Sequence, residues 1–368
     1  MANRGMNARE FRRRLVAGSF RRYSRVSAAM LGLQFVQADP IRSPARAQDL
    51  ILRQRVDGYH AGDLEKEYPE LEVEEGFLFA YGFMTSDVWR NLRWRGTKGL
   101  SATERVVLEA VREIGEAHPR DLDERFGRKL VRNAWGGQSL ATKRMLEELQ
   151  DRGYLRVSRR RNGIRVYQVP EQTDEAAVDP RLRYSRLVLT TIHVFGPVEK
   201  SFLITELGHL NHMIPDRKKR VGVVDQLLDS GRLADINVEG SSYLWKEADW
   251  ESEDVSSVVR FLSPFDPLVR DRQRFERLWG WRYRFEAYVP AAKRERGYYA
   301  MPLLWGEQVI GWVNAAIEGE RLRLDTGFVG ERPAGKGFRR AFEDEAEAMA
   351  SFLGLESGAW EWTHRKSS

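Results

Sequence analysis

Gln37 and Asp39 are the two side chains whose types and spacing suggest chemistry. They close the segment Gln34-Phe-Val-Gln37-Ala-Asp39, where an apolar run ends in a carboxamide, a small residue and a carboxylate. In an extended or turn conformation, residues two apart point the same way. A carboxylate and a carboxamide side by side can hold one water: the carboxylate accepts its proton and the amide oxygen fixes its orientation. Spacing alone leaves a second reading open, because an aspartate before Pro40 also terminates helices. Other catalytic signatures are missing, among them a Walker-type loop, HExxH, GxSxG and GxGxxG. The absence of cysteine excludes thiolate zinc sites, iron–sulfur clusters, disulfides and a cysteine nucleophile. His193, His209 and His212 could hold a metal, but no convergent acid accompanies them. They read as partly buried structural histidines, so neither metal nor cofactor is expected.

Charge points to a partner. The 368 residues carry 60 Lys and Arg against 54 Asp and Glu, a net charge of +6. Between Arg4 and Arg25 eight arginines face one acid, Glu10. Such a cluster suits a polyanion, or else forms a solvated helix face at a chain end. No apolar stretch is long enough to span a bilayer, and the N-terminus lacks a signal-type apolar run. A monomer in a reducing cytoplasm is expected, without a membrane partner.

The elements that must position these groups suggest an α+β fold: tandem winged-helix domains followed by a β-rich C-terminal domain. Arg9–Ala17 reads as a helix, Ser27–Ala38 as a second capped by Ser27, and Pro44–Arg55 as a third. Tyr68–Trp89 mixes short apolar pieces with turns. The clearest stretch is Leu100–Val169. Ser101 and Glu104 form a capping box for a helix that buries Val106, Val107, Ala110, Val111 and Ile114. Pro119–Phe126 is a short second helix. Gly137-Gln-Ser139 caps a third, running to Asp151 with Ala141, Met145, Leu146 and Leu149 inward, and Gly153 stops it. Strands Tyr154–Val157 and Ile164–Tyr167 then flank Arg159-Arg160-Arg161-Asn162-Gly163 as a hairpin. The same order recurs in helices at Arg186–Phe195, Glu199–Leu207 and Asp216–Asp229, followed by strands at Leu233–Val238 and Tyr243–Lys246. Beyond Phe261, an antiparallel meander is expected from Tyr283–Val289, Tyr298–Trp305, Val309–Ala316 and Arg321–Asp325, closed by a helix at Gly335–Phe352. The resulting domains are 1–95, 96–175, 176–252 and 253–368, the first a degenerate copy carrying the Gln37–Asp39 segment.

A winged helix usually lays its third helix in the major groove and its wing on the backbone or minor groove of double-stranded DNA. That makes Lys143 and Arg144 on the helix, and Arg159, Arg160 and Arg161 on the wing, candidate DNA contacts. A charged hairpin tip without a ligand, or a surface for protein partners, is the plainer alternative.

Three segments, taken in order, resemble one family. The first is Leu33-Gln-Phe-Val-Gln-Ala-Asp-Pro-Ile41 with Pro44-Ala-Arg-Ala-Gln-Asp-Leu50. The second is Trp135-Gly-Gly-Gln-Ser with Ala141-Thr-Lys-Arg and Gly153-Tyr-Leu. The third is Leu262-Ser-Pro-Phe-Asp-Pro-Leu268, then Arg272, Tyr288-Val-Pro-Ala-Ala-Lys-Arg294 and Gly297-Tyr-Tyr299. Together they resemble the YcaQ-like family of winged-helix proteins, which includes the azinomycin-resistance (AlkZ-type) DNA glycosylases. The resemblance implies a monofunctional DNA glycosylase that removes bulky N-alkylated purines, in some members from interstrand crosslinks. Its catalytic Gln-x-Gln or Gln-x-Asp pair falls on Gln37 and Asp39, and Lys293 and Arg294 join the DNA-contact candidates. The chain departs from the pattern at Tyr81-Gly-Phe-Met84, where many members carry a Glu–His stretch, and at Pro40 and Arg42, which replace Ser and Asn. A noncatalytic DNA-binding protein or transcription regulator is the alternative, against which no dimerising coiled coil or effector motif is seen.

Overall fold

The computed structural model describes residues 5–93, 99–132, 138–161, 163–171, 178–246 and 255–364, with the backbone alone at 131, 132, 138 and 139. The fold is mixed α+β. Helix α1 (Ala8–Ser19) is capped by Asn7, whose side chain accepts from Glu10 N. Helix α2 (Val26–Leu33) stops at Gln34, which takes the left-handed conformation at φ 61°. The expected helix to Ala38 is thus cut short, and Ser27 lies inside it, while Arg25 holds the cap position. The reason is a competing partner. Phe35–Gln37 forms β1, which pairs antiparallel with β3 (Tyr81–Thr85), itself paired with β2 (Val73–Phe77) in the order β1-β3-β2. Two short helices, α3 (Ala47–Leu52) and α4 (Asp63–Glu67), fill the connection, and α5 (Ser86–Leu92) follows β3.

The next stretch gives helices α6 (Ala102–Ile114) and α7 (Pro119–Phe126), strands β4 (Leu130–Arg132) and β5 (Gln138–Leu140), helix α8 (Ala141–Asp151), and the hairpin β6 (Arg156–Arg161) with β7 (Ile164–Gln168). The Ser101–Glu104 capping box forms with both of its bonds. The buried face of α6 is turned from the expected one: Val107, Leu108, Ala110 and Val111 are buried, whereas Val106 and Ile114 are 53% and 40% exposed. Gln138 and Ser139 extend β5 and do not cap α8, which begins after Leu140. Gly137 and Asn162 lie outside the described residues. Arg159, Arg160 and Arg161 belong to strand β6, not to the turn. Gly163, at φ 77°, makes the tight reversal that a side chain would disfavour.

The pattern then recurs as α9 (Pro180–Phe195), α10 (Lys200–Glu206), α11 (Arg217–Asp229, capped by Asp216), β8 (Ala234–Val238) and β9 (Ser241–Trp245). A five-stranded sheet completes the fold in the order β10-β11-β12-β13-β14. Its strands are β10 (Val259–Phe261), β11 (Met301–Trp305), β12 (Gln308–Glu318), β13 (Arg321–Phe328) and β14 (Trp360–His364), the last parallel to β13 and delivered by α14 (Lys336–Phe352). Between β10 and β11 run α12 (Pro267–Arg270) and α13 (Arg272–Trp279). The expected strand Tyr283–Val289 is absent. That segment is pinned by other bonds: the Tyr283 hydroxyl donates to Ala300 O at 2.6 Å, and Glu286 Oε2 accepts from Arg296 N at 2.9 Å.

Hydrophobic burial ties distant pieces together. Phe11, Leu15 and Val16 of α1 pack with Tyr243, Leu268 and Phe275. Phe35, Phe79 and Met84 pack against Leu187, Val188 and Phe195 of α9. Val36 and Phe83 share a core with Leu146, Val157 and Tyr167. The three-stranded sheet is therefore wedged between the two helical units, because both of its faces are apolar. The arginines of α1 are drawn into the same packing: Arg9 and Arg13 pair with Glu307 at 3.3 and 3.6 Å, and Arg12 donates to Leu278 O at 2.8 Å.

Candidate active site at the end of β1

Gln37 is the last residue of β1 and lies opposite Gly82 of β3. A Cβ at position 82 would come within 2.5 Å of Val36 O and 2.6 Å of the Phe35 ring. Only glycine allows the two strands to meet there. The extended path continues one residue beyond the strand, since Ala38 N donates to Tyr81 O at 2.9 Å. Asp39 thus follows an extended segment and ends no helix, which removes the structural alternative left open by its spacing.

Asp39 is half-buried. Its Oδ1 accepts from Ile41 N at 2.9 Å, a local turn that fixes the carboxylate's direction. Burial pushes the Asp39 pKa up from 3.8, opposed by the Ile41 hydrogen bond. Tyr299, 1% exposed, stands in the field of this carboxylate. Its pKa is raised chiefly by its own burial, with the Asp39 charge adding to the effect.

Gln37 is gripped from the opposite end of the chain. Its Oε1 accepts from Arg270 Nη1 at 2.9 Å. Arg270 Nη2 donates to Phe79 O at 3.1 Å and to Glu206 Oε2 at 2.8 Å. Arg270 is the last residue of α12, whose N-terminus is capped by Asp266 through Leu268 N. Asp266 is itself anchored: Arg55 Nη1 and Nη2 donate to its two oxygens at 2.8 and 3.1 Å, with side-chain exposures of 1% and 0%. The Ser263-Pro-Phe-Asp266 segment is therefore a buried joint that brings α12 to the end of β1. Sequence reasoning singled out that segment but missed Arg270 and Glu206, for which no spacing signal exists.

The wing arginines divide. Arg160 Nε and Nη2 reach Glu75 Oε1 and Oε2 at 2.8 and 2.5 Å, and Tyr81 Oη donates to Glu75 Oε2 at 2.7 Å. Burial tends to lower the Arg160 pKa, but the Glu75 carboxylate outweighs it and holds the guanidinium above its ordinary value. Arg156 likewise pairs with Glu74 at 3.0 Å. These bonds fasten β6 to β2 and, through Tyr81, to β3. Arg159 is exposed and pairs with Glu116 at 2.8 Å, and Arg161 is exposed, with no ion pair among the described residues. Lys143 and Arg144 lie exposed on α8, Arg144 beside Glu148 at 2.8 Å. Lys293 is exposed; Arg294 donates to Val289 O at 2.7 Å and covers the Tyr298 ring at 5.0 Å. The structure thus gathers Gln37 and Asp39 at one end of β1 and commits Arg160 to an internal pair.

A family model described as AlkZ-like DNA glycosylase matches residues 30–352. The chain belongs to the AlkZ-like DNA glycosylase family. The match begins just before β1 and runs to the end of α14, so it includes Gln37, Asp39 and Arg270. Among solved structures, Streptomyces sahachiroi DNA glycosylase AlkZ is similar in fold, with a TM-score of 0.63 at 15% identity over 98% of this chain and 100% of that one.

Other features of this glycosylase-family chain lie apart from the pair. A cavity of about 390 Å³ opens between α1, α2 and α9, lined by Arg14, Arg21, Tyr23, His193, Trp245 and Lys246 among others, and not by Gln37 or Asp39. His193 Nε2 lies 2.7 Å from Gly32 O, and His209 Nδ1 lies 3.0 Å from Glu206 O. Burial lowers the pKa of His209 and of His212. Among the described residues, no group of three or more His, Asp or Glu could hold a metal ion, and no helix is long and apolar enough to cross a membrane.

Proposed function

We propose that this DNA repair glycosylase is monofunctional and hydrolyses the N-glycosidic bond of bulky N-alkylated purines, interstrand crosslinks included. The observation that carries the reading is the placement of Gln37 and a half-buried Asp39 at the end of one strand, the carboxylate oriented by Ile41 N. An N-alkylated purine leaves as a neutral base from a cationic nucleotide, so no general acid is required. As the bond from C1′ to the base nitrogen breaks, its electron pair leaves with the base. A water oxygen bonds to C1′ and its proton passes to the Asp39 carboxylate. The same negative charge stabilises the oxocarbenium-like transition state. No lysine nucleophile takes part, so strand cleavage is not part of the reaction.

The helix–helix–helix–hairpin order at 96–175 and again at 176–252 supports winged-helix units, with 1–95 carrying the catalytic segment and 253–368 the β-rich part. A monomer acting on double-stranded DNA in the cytoplasm suits the cysteine-free, basic chain. Lys143, Arg144, Arg159, Arg161, Lys293 and Arg294 are the proposed phosphate contacts. Arg160 is proposed to hold the wing in place.

The test is incubation with duplex DNA carrying labelled N7-methylguanine or a nitrogen-mustard crosslink, followed by mild alkali to reveal abasic sites. Alkali-labile breaks that vanish in Asp39→Asn are expected. Binding without release from either lesion overturns the proposed substrate class.

A further inference from the structure

Gln37 is held in one amide orientation by an arginine from the other end of the chain, and this bears on which atom it offers to a reacting water. A guanidinium has donors and no acceptor, so the amide atom 2.9 Å from Arg270 Nη1 must be the carbonyl oxygen. The NH2 group of Gln37 is then turned away from Arg270. Resting on the proposed hydrolysis, we infer that Arg270 is a positioning residue that makes Gln37 present its Nε2–H as a donor to the attacking water. This reverses the role given to the amide by spacing alone, in which its oxygen directs the water. A donor to the water oxygen leaves one lone pair for attack on C1′, while Asp39 takes the proton. The N–H is strengthened because the guanidinium polarises the amide from its oxygen end.

The arrangement also answers an electrostatic difficulty. A bare cation beside a centre that develops positive charge would oppose the reaction. Arg270 is not bare: Glu206, with a side chain 14% exposed, sits 2.8 Å from its Nη2. Phe79 O accepts from the same nitrogen at 3.1 Å, so the fork is fixed at three points. The glutamate comes from α10, the carbonyl from the turn before β3 and the arginine from α12. The amide therefore has its orientation only when all three parts are packed together. Asp39 lies on the other side of Ala38 and needs none of them for its own bond to Ile41 N.

The test is single-turnover base release from N7-methylguanine duplex, with DNA affinity and thermal unfolding measured in parallel. Arg270→Ala is expected to slow release by about tenfold to a hundredfold, the scale of a misplaced catalytic group, with affinity within about threefold. In a Gln37→Ala background the same change is expected to have almost no further effect. Arg270→Lys should recover only part of the loss, because a single ammonium nitrogen cannot stand in both places where the two guanidinium nitrogens meet their acceptors. Glu206→Gln keeps the shape, unmasks the charge, and should slow release without weakening DNA binding. It also stands in as the decisive variant should Arg270→Ala fail to fold. A loss that adds to that of Gln37→Ala, or unchanged release by Glu206→Gln, overturns the positioning role while the glycosylase reading stands. No release by the wild-type protein from this duplex or from a nitrogen-mustard crosslink overturns the proposed hydrolysis, and the positioning role with it.

Discussion

Arg160 reaches from β6 to Glu75 of β2 and takes both carboxylate oxygens, Nε to Oε1 at 2.8 Å and Nη2 to Oε2 at 2.5 Å. Glu75 also accepts from the Tyr81 hydroxyl, and Tyr81 O accepts from Ala38 N between Gln37 and Asp39. A hairpin with the look of a DNA-contacting wing is thus coupled, through three hydrogen-bonded links, to the segment that carries the candidate pair Gln37 and Asp39.

Removing Glu75 should be costly. Its side chain is fully buried, and Glu75→Ala strands the Arg160 guanidinium beside Arg165, whose Nε lies 3.8 Å from the same carboxylate. Losing one partner of a buried pair destabilises by about 3–5 kcal/mol. Urea unfolding should show that loss, and hydrogen exchange should show faster opening at Ala38 and Phe83. An unchanged unfolding midpoint would mean that the pair carries no structural role.

The wing arginines should separate by salt dependence. Each phosphate contact contributes roughly 0.9 to the slope of log affinity against log salt. Replacing Arg159 and Arg161 together with alanine should flatten the slope by about two contacts' worth at unchanged stability. Arg160→Ala should leave the slope and lower the unfolding temperature. The opposite pattern would return Arg160 to the DNA surface.

Asp39→Asn should abolish base release and yet stabilise the fold. Burial raises the Asp39 pKa above 3.8, so ionising the group costs more in the folded chain than in the unfolded one. Its favourable contribution is present at acid pH and is lost as pH rises through the folded value. Asparagine keeps an oxygen for Ile41 N and carries no charge. The unfolding temperature at neutral pH should therefore rise, with the gain fading as pH falls towards 3.8. In the wild type, release should need the carboxylate. Its rate should fall on the acid side with a midpoint above 3.8, and a midpoint at or below that value would show that burial does not tune the group.

Asp266→Asn tests the joint that carries α12. Arg55 is 1% exposed and both of its terminal nitrogens donate to Asp266. The neutral amide offers one acceptor where there were two, and leaves the guanidinium uncompensated. A loss of about 3 kcal/mol is expected, with slower base release because α12 ends at Arg270. Unfolding by denaturant and single-turnover kinetics on the same variant would check both; stability without any loss would place the anchoring of α12 elsewhere.

Much of the local structure was legible because it is set by short-range rules. Ser101 and Glu104 satisfy each other's backbone N–H groups, Pro119 opens α7 with a preset φ, and Gly163 supplies the positive φ of the hairpin turn, each within a few residues of chain. Gln37 and Asp39 stood out in the same way, as a polar pair ending an apolar run. The places where the reading from spacing failed are those where a distant partner outbid a local preference. Phe35–Gln37 continues a helical pattern, yet it pairs with β3, whose Gly82 alone admits the close approach. Arg160 looked like a surface cation because nothing within its own hairpin neutralises it; the acid that does lies far back in the chain, on β2. The sequence by itself singled out Gln37 and Asp39 as a pair suited to holding a water, and most of the helices and hairpins that form, because both are set by neighbouring residues. Only the tertiary structure decided that Arg270 and Glu206 stand behind Gln37, because hydrogen bonds between residues 233 and 64 positions apart leave no period in the chain and exist only once the intervening cores have packed.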